Sequence, residues 1–310
     1  MAGRIIVGYY GCNNLGDDLM LYSWIKNNPT TNYFILKRGI TEYTFFKDIK
    51  QSYVFSNFII NTFFRFLTIF YLKFKGYNEY VMLGGTQLSM NSSPITHLFQ
   101  FLEIKFSKLF GFKIISDRVG IGNINNNSWL LKNIINFHDD FIVRDKSSYE
   151  KLKSLKFPNI TLTNDLVFDL KEHFHSNITS SNSNNPTTII TATGSVFKKN
   201  KEFQKLYLDY LKLNMSLMTD NIFFAVFQLN EDEFMFDLIK KEIPQIKLKV
   251  LSINNIQEIC NFYNNSRLVI GSRYHSIVLG DIFNKKFIGI SYDDKVFEQC
   301  IKSKMDYYKL

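Results

Sequence analysis

Two short segments near the carboxyl terminus combine fixed cations with a titratable imidazole. They are Gly271-Ser272-Arg273-Tyr274-His275 and Tyr292-Asp293-Asp294-Lys295-Val296. The apolar residues before Gly271 predict a buried strand, so Arg273 and His275 would follow its carboxyl end. Open α/β sheets bind their ligands at that edge. Two cations beside a histidine favour a small molecule that carries several negative charges.

The glycine-rich turn from Gly8 to Asp18 follows the first strand-like run. It is not a dinucleotide fingerprint, because Gly8, Gly11 and Gly16 lack the GxGxxG spacing. Asp17 and Asp18 would also repel a phosphate at a helix amino terminus, where the dipole otherwise attracts anions. Two interpretations stay open for these carboxylates: they cap the helix, or they bind a neutral, hydroxyl-rich ligand such as a sugar.

Two further strand ends carry candidate binding residues. Gly84 and Gly85 follow an apolar strand, and a glycine pair there lets a ligand approach the backbone closely. Arg144 ends another strand just before a serine-containing helix start, from where its guanidinium could reach across a cleft. The alternative is a surface arginine paired with Asp145, an arrangement that contributes little stability.

Strand-like and helix-like segments alternate along the chain, which is typical of parallel sheets covered by helices. The strands expected in the first half lie at 4–10, 33–36, 80–83, 113–116 and 141–143. Those in the second half lie at 187–191, 222–227, 248–251, 267–270 and 287–290. Residues 172–186 are polar and predict an interdomain linker. We therefore predict an α/β protein with two Rossmann-like doubly wound domains, residues 1–171 and 187–310, that face a cleft.

The composition is that of a globular protein with anionic partners. The 310 residues are 45% hydrophobic and carry a net charge of +9, which favours negatively charged ligands. Nucleic acid is not expected, because the lysines are scattered and no nucleic-acid-binding motif is present. Cys12, Cys260 and Cys300 form no metal-ligand spacing, and they indicate a reduced cytoplasm. We expect no secretory signal, because the first residues run directly into a strand.

The most apolar segment, residues 58–72, is too short and too polar to span a bilayer. On a helical wheel Arg65 and other polar residues form one narrow stripe opposite a broad apolar face, and Lys73 and Lys75 follow. Such a helix could lie in a membrane interface on anionic headgroups, and the basic aromatic stretch 97–113 would suit the same role. We favour the other interpretation, in which the apolar face packs on the core and the polar stripe is solvated.

Taken in order along the chain, these motifs resemble the polysaccharide pyruvyl transferase family. The resemblance rests on the turn from Gly8 to Asp18, Gly84-Gly85, Arg144-Asp145, Asn164-Asp165-Leu166-Val167-Phe168 and the two carboxyl-terminal segments. The chain departs from the family at Thr86, where a third glycine is usual, and at Leu166, where proline is usual. Asp294 also adds a carboxylate beside Lys295, which could lower the local positive potential.

The resemblance implies a GT-B-like pair of Rossmann-type domains and a transferase of surface-glycan assembly, for a capsule or exopolysaccharide. Such an enzyme moves the enolpyruvyl group of phosphoenolpyruvate onto a sugar, closes a cyclic pyruvate ketal and releases phosphate. Phosphoenolpyruvate is its co-substrate, and no cofactor or metal is implied. The saccharide acceptor could be polyprenyl-linked, which would place a cytoplasmic protein in peripheral contact with the inner face of the membrane.

The residue roles follow from the same resemblance. His275 and Arg273 are the expected catalytic residues, and His275 would move a proton. The donor carries a carboxylate and a phosphate, both of which pair well with arginine. The expected donor-binding residues are Arg144, Ser272, Arg273 and Lys295. The expected acceptor-binding residues are Asn14, Asp17, Asp18, Gly84 and Gly85.

Two other functions stay open. A glycosyltransferase that uses a nucleotide sugar would have the same fold, with Glu231 or Glu233 on the ribose. A non-catalytic scaffold of glycan assembly would tolerate the replacement of His275.

Overall fold

The computed structural model of the protein describes residues 3–39, 49–87, 93–122, 129–174, 186–251 and 256–310. Contacts divide the chain into two compact units: unit 1 is Met1–Cys12 with Asp17–Leu166, and unit 2 is Asn13–Gly16 with Val167–Leu310. Residues 175–185 of the expected linker lie outside the described part, so the domain limits at residues 171 and 187 stay a prediction. The start of the expected polar linker belongs to the helix Leu170–Phe174, in which Phe174 is buried.

Unit 1 is a parallel sheet with helices between its strands. Its strands are β1 (Gly3–Val7), β2 (Tyr33–Leu36), β3 (Tyr77–Leu83), β4 (Thr86–Gln87), β5 (Lys113–Ile121), β6 (Asp140–Val143) and β7 (Ile160–Leu162). Its helices are α1 (Leu15–Asn27), which begins with two residues of unit 2, α2 (Phe58–Phe74), α3 (Pro94–Leu109), α4 (Trp129–Asn136) and α5 (Lys146–Ser154). The strand order is β2-β1-β3-β5-β6-β7, and β4 pairs with β5. The order reverses between β1 and β3, where doubly wound sheets bind ligands.

Unit 2 is a second parallel sheet of the same kind. Its strands are β8 (Thr187–Thr191), β9 (Asn221–Ala225), β10 (Leu248–Leu251), β11 (Ser266–Gly271), β12 (Lys286–Ser291) and β13 (Asp306–Lys309). Its helices are α6 (Leu170–Phe174), α7 (Gly194–Lys199), α8 (Lys201–Leu213), α9 (Glu233–Glu242), α10 (Ile256–Asn264), α11 (Tyr274–Ile282) and α12 (Asp294–Lys302). The order β10-β9-β8-β11-β12-β13 reverses between β8 and β11, so the loops after these two strands flank the expected ligand position.

Helix α2 faces the opposite way from the interpretation that we favoured. Arg65 in its polar stripe is 6% exposed, whereas Phe63 is 59% exposed and Phe74 is 75% exposed. Arg65 packs inward together with Ile69 and Leu72, because Glu103 of α3 supplies a buried counter-charge to the guanidinium. None of the helices in the described ranges is both long and apolar enough to cross a membrane.

Candidate active site

The loops after β8 and β11 lie side by side at the reversal point of the unit 2 sheet. A Cβ atom on Gly271, the last residue of β11, would overlap Thr191, the last residue of β8. The close approach of the two strands therefore requires glycine at this position. The N–H of Ser272 then donates to the carbonyl of Thr191 at 3.1 Å, which continues the contact into the loops.

Ser272 holds these two loops together. Its side chain is fully buried, and its hydroxyl accepts a hydrogen bond from the backbone N–H of Thr193 at 2.9 Å. The hydroxyl groups of Ser272 and Thr193 also lie 3.2 Å apart. The hydroxyl that was expected to bind a donor thus has structural partners, and donor binding by Ser272 stays a prediction.

Arg273 forms a two-pronged ion pair with Asp232. Nε of Arg273 lies 3.0 Å from Oδ2 of Asp232, and Nη2 donates to Oδ1. Asp232 is completely buried. Its carboxylate also accepts the backbone N–H groups of Gly194, Phe227 and Gln228, each at 3.0 Å. Because one carboxylate receives all these donors, the guanidinium plane of Arg273 has a fixed orientation.

Asp232 could not be singled out from the sequence. Its neighbours Glu231 and Glu233 are the carboxylates considered for ribose binding, yet both are exposed and the residue between them is buried. Its one local signal is its position before α9, where a carboxylate is a common cap. The partner Arg273 is 41 residues away, so no local pattern indicates the pair.

His275 lies in the first turn of α11. Its ring packs so closely on Gly16 that a Cβ atom there would overlap Nδ1. Gly16 belongs to the segment Asn13–Gly16, which pairs with the loop after β9: the N–H of Leu15 donates to the carbonyl of Phe227 at 2.8 Å. Two motifs from opposite ends of the sequence therefore meet within unit 2.

Asn14, an expected acceptor-binding residue, lies in the same segment. Its side-chain oxygen accepts the N–H of Gly16 at 3.1 Å, which caps the start of α1. Its backbone forms an antiparallel bridge to Gln228. Asn14 is thereby held next to the glycine that contacts His275.

The loop after β12 carries Lys295 in the first turn of α12. Asp293 caps this helix by accepting the N–H groups of Lys295 at 3.2 Å and Val296 at 3.5 Å. Asp294, the additional carboxylate beside Lys295, forms an exposed ion pair with Lys309 of β13 at 3.6 Å. Its negative charge is therefore shared with a second cation.

Tyr292 adds a hydrogen-bonding group to this part of unit 2. Burial raises the pKa of Tyr292, and the charge of Asp293 raises it further, although a hydrogen bond with Thr193 and the nearby Arg273 lower it. The phenol therefore keeps its proton at neutral pH and remains able to donate a hydrogen bond.

Arg144 is buried in unit 1 and paired with a carboxylate. Its Nη1 lies 2.7 Å from Oδ2 of Asp165, and both side chains are nearly inaccessible to solvent. The interpretation as a surface pair with Asp145 is wrong, because Arg144 is buried and pairs with Asp165, while Oδ1 of Asp145 caps α5 by accepting the N–H of Ser148 at 2.7 Å. Nη2 of Arg144 also lies 3.4 Å from the hydroxyl of Thr86. The charge of Arg144 is balanced inside unit 1, and its role in donor binding stays a prediction.

Asp17 and Asp18 lie in the first turn of α1, after the loop that follows β1. Asp18 is fully buried, and its Oδ1 accepts the N–H of Gly11 at 3.1 Å. Burial raises the pKa of Asp18 well above its ordinary value; Asp17 also raises it, while the Gly11 N–H and Lys37 lower it. Asp18 therefore holds its proton to a higher pH than an exposed aspartate does.

Gly84 and Gly85 follow β3 at the reversal point of the unit 1 sheet. Both have left-handed backbone conformations, with φ of +60° and +69°. A Cβ atom on Gly84 would lie 2.7 Å from the sulfur of Met20, and the carbonyl of Gly85 accepts the N–H of Gly120 at 2.8 Å. Backbone geometry and packing explain this glycine pair, so its contact with an acceptor stays a prediction.

The three cysteines are thiols with raised pKa values. Burial raises the pKa of Cys12 to about 11, and it raises the pKa values of Cys260 and Cys300 to about 12. Across the described ranges, no three His, Cys, Asp or Glu side chains converge in a way that could hold a metal ion.

Two parallel sheets covered by helices define a GT-B-like fold, and solved structures of this kind are similar over nearly the whole chain. The UDP-GlcNAc 2-epimerase of Methanocaldococcus jannaschii is 13% identical, with a TM-score of 0.61, over 98% of this chain and 92% of that chain. The UDP-GlcNAc 2-epimerase of Neisseria meningitidis bound to UDP-GlcNAc is 11% identical, with a TM-score of 0.61, over 97% of this chain and 85% of that chain. At such identities the similarity shows the fold alone.

The sequence profile of the polysaccharide pyruvyl transferase family matches residues 14–294, and the chain therefore belongs to that family. The matched region includes Arg144, Asp232, Arg273 and His275. No curated protein sequence matches the chain. Membership identifies the protein as a transferase of polysaccharide biosynthesis.

Proposed function

We propose that the protein transfers the enolpyruvyl group of phosphoenolpyruvate to a sugar of a bacterial surface polysaccharide or of its lipid-linked precursor. The product would be a cyclic pyruvate ketal, and phosphate would be released. Family membership supports a transferase with a polysaccharide acceptor. The arrangement of Arg273, Asp232 and His275 in unit 2 supports an anionic donor.

The observation that carries the proposal is the fixed guanidinium two residues before His275. Asp232 holds Nε and Nη2 of Arg273, whose side chain keeps 15% of its surface exposed. Nη1 has no hydrogen-bond partner within the described residues, so it is the nitrogen that would bind a donor oxygen. An arginine that is already oriented loses little conformational entropy when it binds a carboxylate or a phosphate.

Two further features favour a negatively charged ligand here. Helix α11 begins after Arg273 with no side-chain cap, and helix amino termini attract anions. Lys295 lies in the first turn of α12, after the neighbouring strand β12. Asp232 neutralises much of the charge of Arg273. The amino terminus of α11 and Lys295 would therefore supply the rest of the attraction for an anionic donor.

In the proposed reaction, His275 gives a proton to the methylene carbon of phosphoenolpyruvate, and a sugar hydroxyl attacks the adjacent carbon. The bond from that carbon to the phosphate oxygen then breaks, and phosphate leaves with the electron pair. A second hydroxyl of the same sugar closes the ketal. The two hydroxyls release two protons, of which one restores His275 and the other goes to phosphate. Arg273 and Lys295 would stabilise the leaving phosphate.

The remaining roles are proposed from the family resemblance. They are donor carboxylate binding by Arg144 and acceptor binding by Asn14, Asp17, Asp18, Gly84 and Gly85.

The test incubates the purified protein with phosphoenolpyruvate and a panel of lipid-linked and synthetic saccharides. Phosphate release and the product mass are measured for the wild type, for His275→Ala and for the control His173→Ala in α6 of the same unit. We expect His275→Ala to lower the rate about 10²- to 10⁴-fold, because it removes the group that transfers the proton. The control should keep the wild-type rate.

Equal rates of phosphate release for both histidine variants would contradict the role of His275 in proton transfer. If no acceptor yields phosphate and phosphoenolpyruvate does not raise the unfolding temperature, the donor assignment is wrong. A rise in unfolding temperature with a nucleotide sugar alone would then favour glycosyl transfer.

A further inference from the structure

The orientation of α2 is set by a buried ion pair. Nη2 and Nε of Arg65 lie 2.6 Å and 3.0 Å from the two carboxylate oxygens of Glu103 in α3. Arg65 also donates to the backbone carbonyls of Leu36 and Lys37, and the hydroxyl of Tyr80 donates to Glu103 at 2.6 Å. These bonds hold Arg65, which lies on the buried side of α2 with Ile69 and Leu72, against the rest of unit 1. The apolar side of the helix is therefore turned outward.

The outward sides of α2 and α3 are almost entirely apolar. We call them the two-helix face; its exposed residues are Phe58, Ile59, Ile60, Phe63, Phe64, Leu67, Phe70, Tyr71 and Phe74 of α2 with Ile95, Leu98, Leu102 and Leu109 of α3. Isolated apolar side chains are common on protein surfaces, but a contiguous set of this size marks an interaction site.

The two helices lie side by side and run in the same direction. Ring contacts join Phe58 to Phe99, Phe66 to Phe106 and Phe70 to Phe110, with centroids 4.7, 5.0 and 5.2 Å apart. Each residue of α2 thus meets the residue about 40 positions later, as expected for parallel helices on one face of a parallel sheet. Both carboxyl-terminal ends therefore lie at the same end of the two-helix face.

The charged side chains of α2 and α3 that reach solvent are all positive. The sequence of α2 contains no acidic residue, and the one carboxylate in α3 is the buried Glu103. Lys75, which ends α2, and Lys105 of α3 are exposed. The two-helix face thus combines large apolar side chains with exposed cations and without an exposed carboxylate.

We propose that the two-helix face binds an anionic lipid bilayer, with both helices lying in the membrane plane. Aromatic and aliphatic side chains would enter the boundary between headgroups and acyl chains, and the lysines would contact lipid phosphates. A second copy of the chain complements the face less well, since the same surface offers no carboxylate to these lysines. The proposal does not depend on the reaction proposed above.

The test measures co-sedimentation of the full chain with phosphatidylcholine vesicles, with and without about one-third phosphatidylglycerol. The double variant Phe63→Glu/Leu67→Glu should bind at least about tenfold more weakly, because it places charge in the apolar contact. Lys75→Gln and Lys105→Gln should each weaken binding to the anionic vesicles about fivefold, because each removes one positive charge. Leu213→Glu replaces an exposed leucine of α8 in unit 2 and should bind as the wild type does.

Tryptophan fluorescence gives a second readout of the same event. Trp129 is 68% exposed and lies next to α3, with its ring 5.8 Å from that of Phe101, whereas Trp24 is buried. We expect anionic vesicles to shift the emission of Trp129 to shorter wavelength, and Trp129→Phe to abolish the shift.

Three results would overturn the proposal. The first is the absence of binding to vesicles of either composition, and the second is equal loss of binding in Leu213→Glu and in the double variant. The third is a concentration-dependent dimer in analytical ultracentrifugation, without vesicle binding, that Phe63→Glu/Leu67→Glu dissociates. That outcome would assign the two-helix face to a second copy of the chain.

Discussion

The carboxylate of Asp232 holds the guanidinium of Arg273 on two nitrogen atoms while it also accepts three backbone N–H groups. The loop after β11 is thereby tied to the loop after β9 and to the start of α7. This buried carboxylate fixes the position of Arg273, the residue that directly precedes the helix carrying His275.

Replacement of Asp232 by asparagine should destabilise the protein strongly. We expect Asp232→Asn to lower the free energy of unfolding by about 3–5 kcal/mol, because a largely buried guanidinium loses its counter-charge. Urea unfolding at neutral pH measures this loss. The adjacent exposed residue provides the control: Glu231→Gln should stay within about 0.5 kcal/mol of the wild type. Similar values for the two variants would show that the pair contributes no more than a surface contact.

The contact between Gly16 and His275 can be tested without touching the histidine. A methyl group in Gly16→Ala would overlap the imidazole, so the ring must move. We expect phosphate release to fall about 100-fold at saturating phosphoenolpyruvate, because small misplacements of a reacting group are costly.

The matched control for that variant is Gly280→Ala in α11. The nearest atom to the new methyl group there belongs to Phe287 at 3.4 Å, an ordinary contact. This variant should retain activity and the wild-type unfolding temperature. Full activity in Gly16→Ala would mean that the position of the ring on Gly16 does not matter to the reaction.

The same substitution at two aspartates identifies the partner of Arg144. We expect Asp165→Asn to cost about 3–5 kcal/mol of unfolding free energy, because it breaks a buried ion pair. Asp145→Asn should be nearly neutral, since asparagine is also a good helix cap. Chemical denaturation measures the free energy of unfolding of both variants. A larger loss in Asp145→Asn would restore the interpretation of a pair between Arg144 and Asp145.

The stability of unit 1 should depend on pH through His138. Burial lowers the pKa of His138 from 6.5 to about 4, and Nδ1 lies 2.8 Å from the carbonyl of Ile134. The unfolded chain therefore takes up a proton at a higher pH than the folded chain does. We expect the free energy of unfolding to fall by about 3 kcal/mol as the pH drops from about 6.5 to about 4.

His138→Gln supplies the comparison for this pH dependence. Glutamine cannot take up a proton. As the pH falls, the free energy of unfolding should therefore decrease less in His138→Gln than in the wild type. Unfolding curves for both proteins near pH 7 and pH 4 give that difference. If the difference in unfolding free energy between the two proteins is the same at both pH values, protonation of His138 does not cause the pH dependence.

The sheets could be predicted because parallel strands that are buried on both faces have continuous apolar sequences. The expected strands at 33–36, 187–191 and 248–251 agree with β2, β8 and β10 residue for residue. Strand β13 was not expected, because Asp306–Lys309 is polar and lies at the edge of its sheet. An edge strand needs little apolar surface, so the pattern that finds the central strands does not find it.

The orientation of α2 and the partners of the candidate cations could not be predicted from local patterns. A helical wheel separates two sides of α2 but does not say which side packs inward. That depends on Glu103, which is 38 residues from Arg65. The orientation of Arg144 likewise depends on Asp165, and that of Arg273 on Asp232. The sequence therefore predicts each cation as a binding residue but does not indicate the carboxylate that orients it.

The thiol pKa values have a practical consequence for spectroscopy. At about pH 8 all three native thiols keep their protons, because burial raises their pKa values to about 11 for Cys12 and about 12 for Cys260 and Cys300. Maleimides and methanethiosulfonates attack the thiolate, so a cysteine introduced at an exposed position such as Trp129 would react first. A spin label or fluorophore could therefore be attached at a chosen position while all three native cysteines remain in the chain.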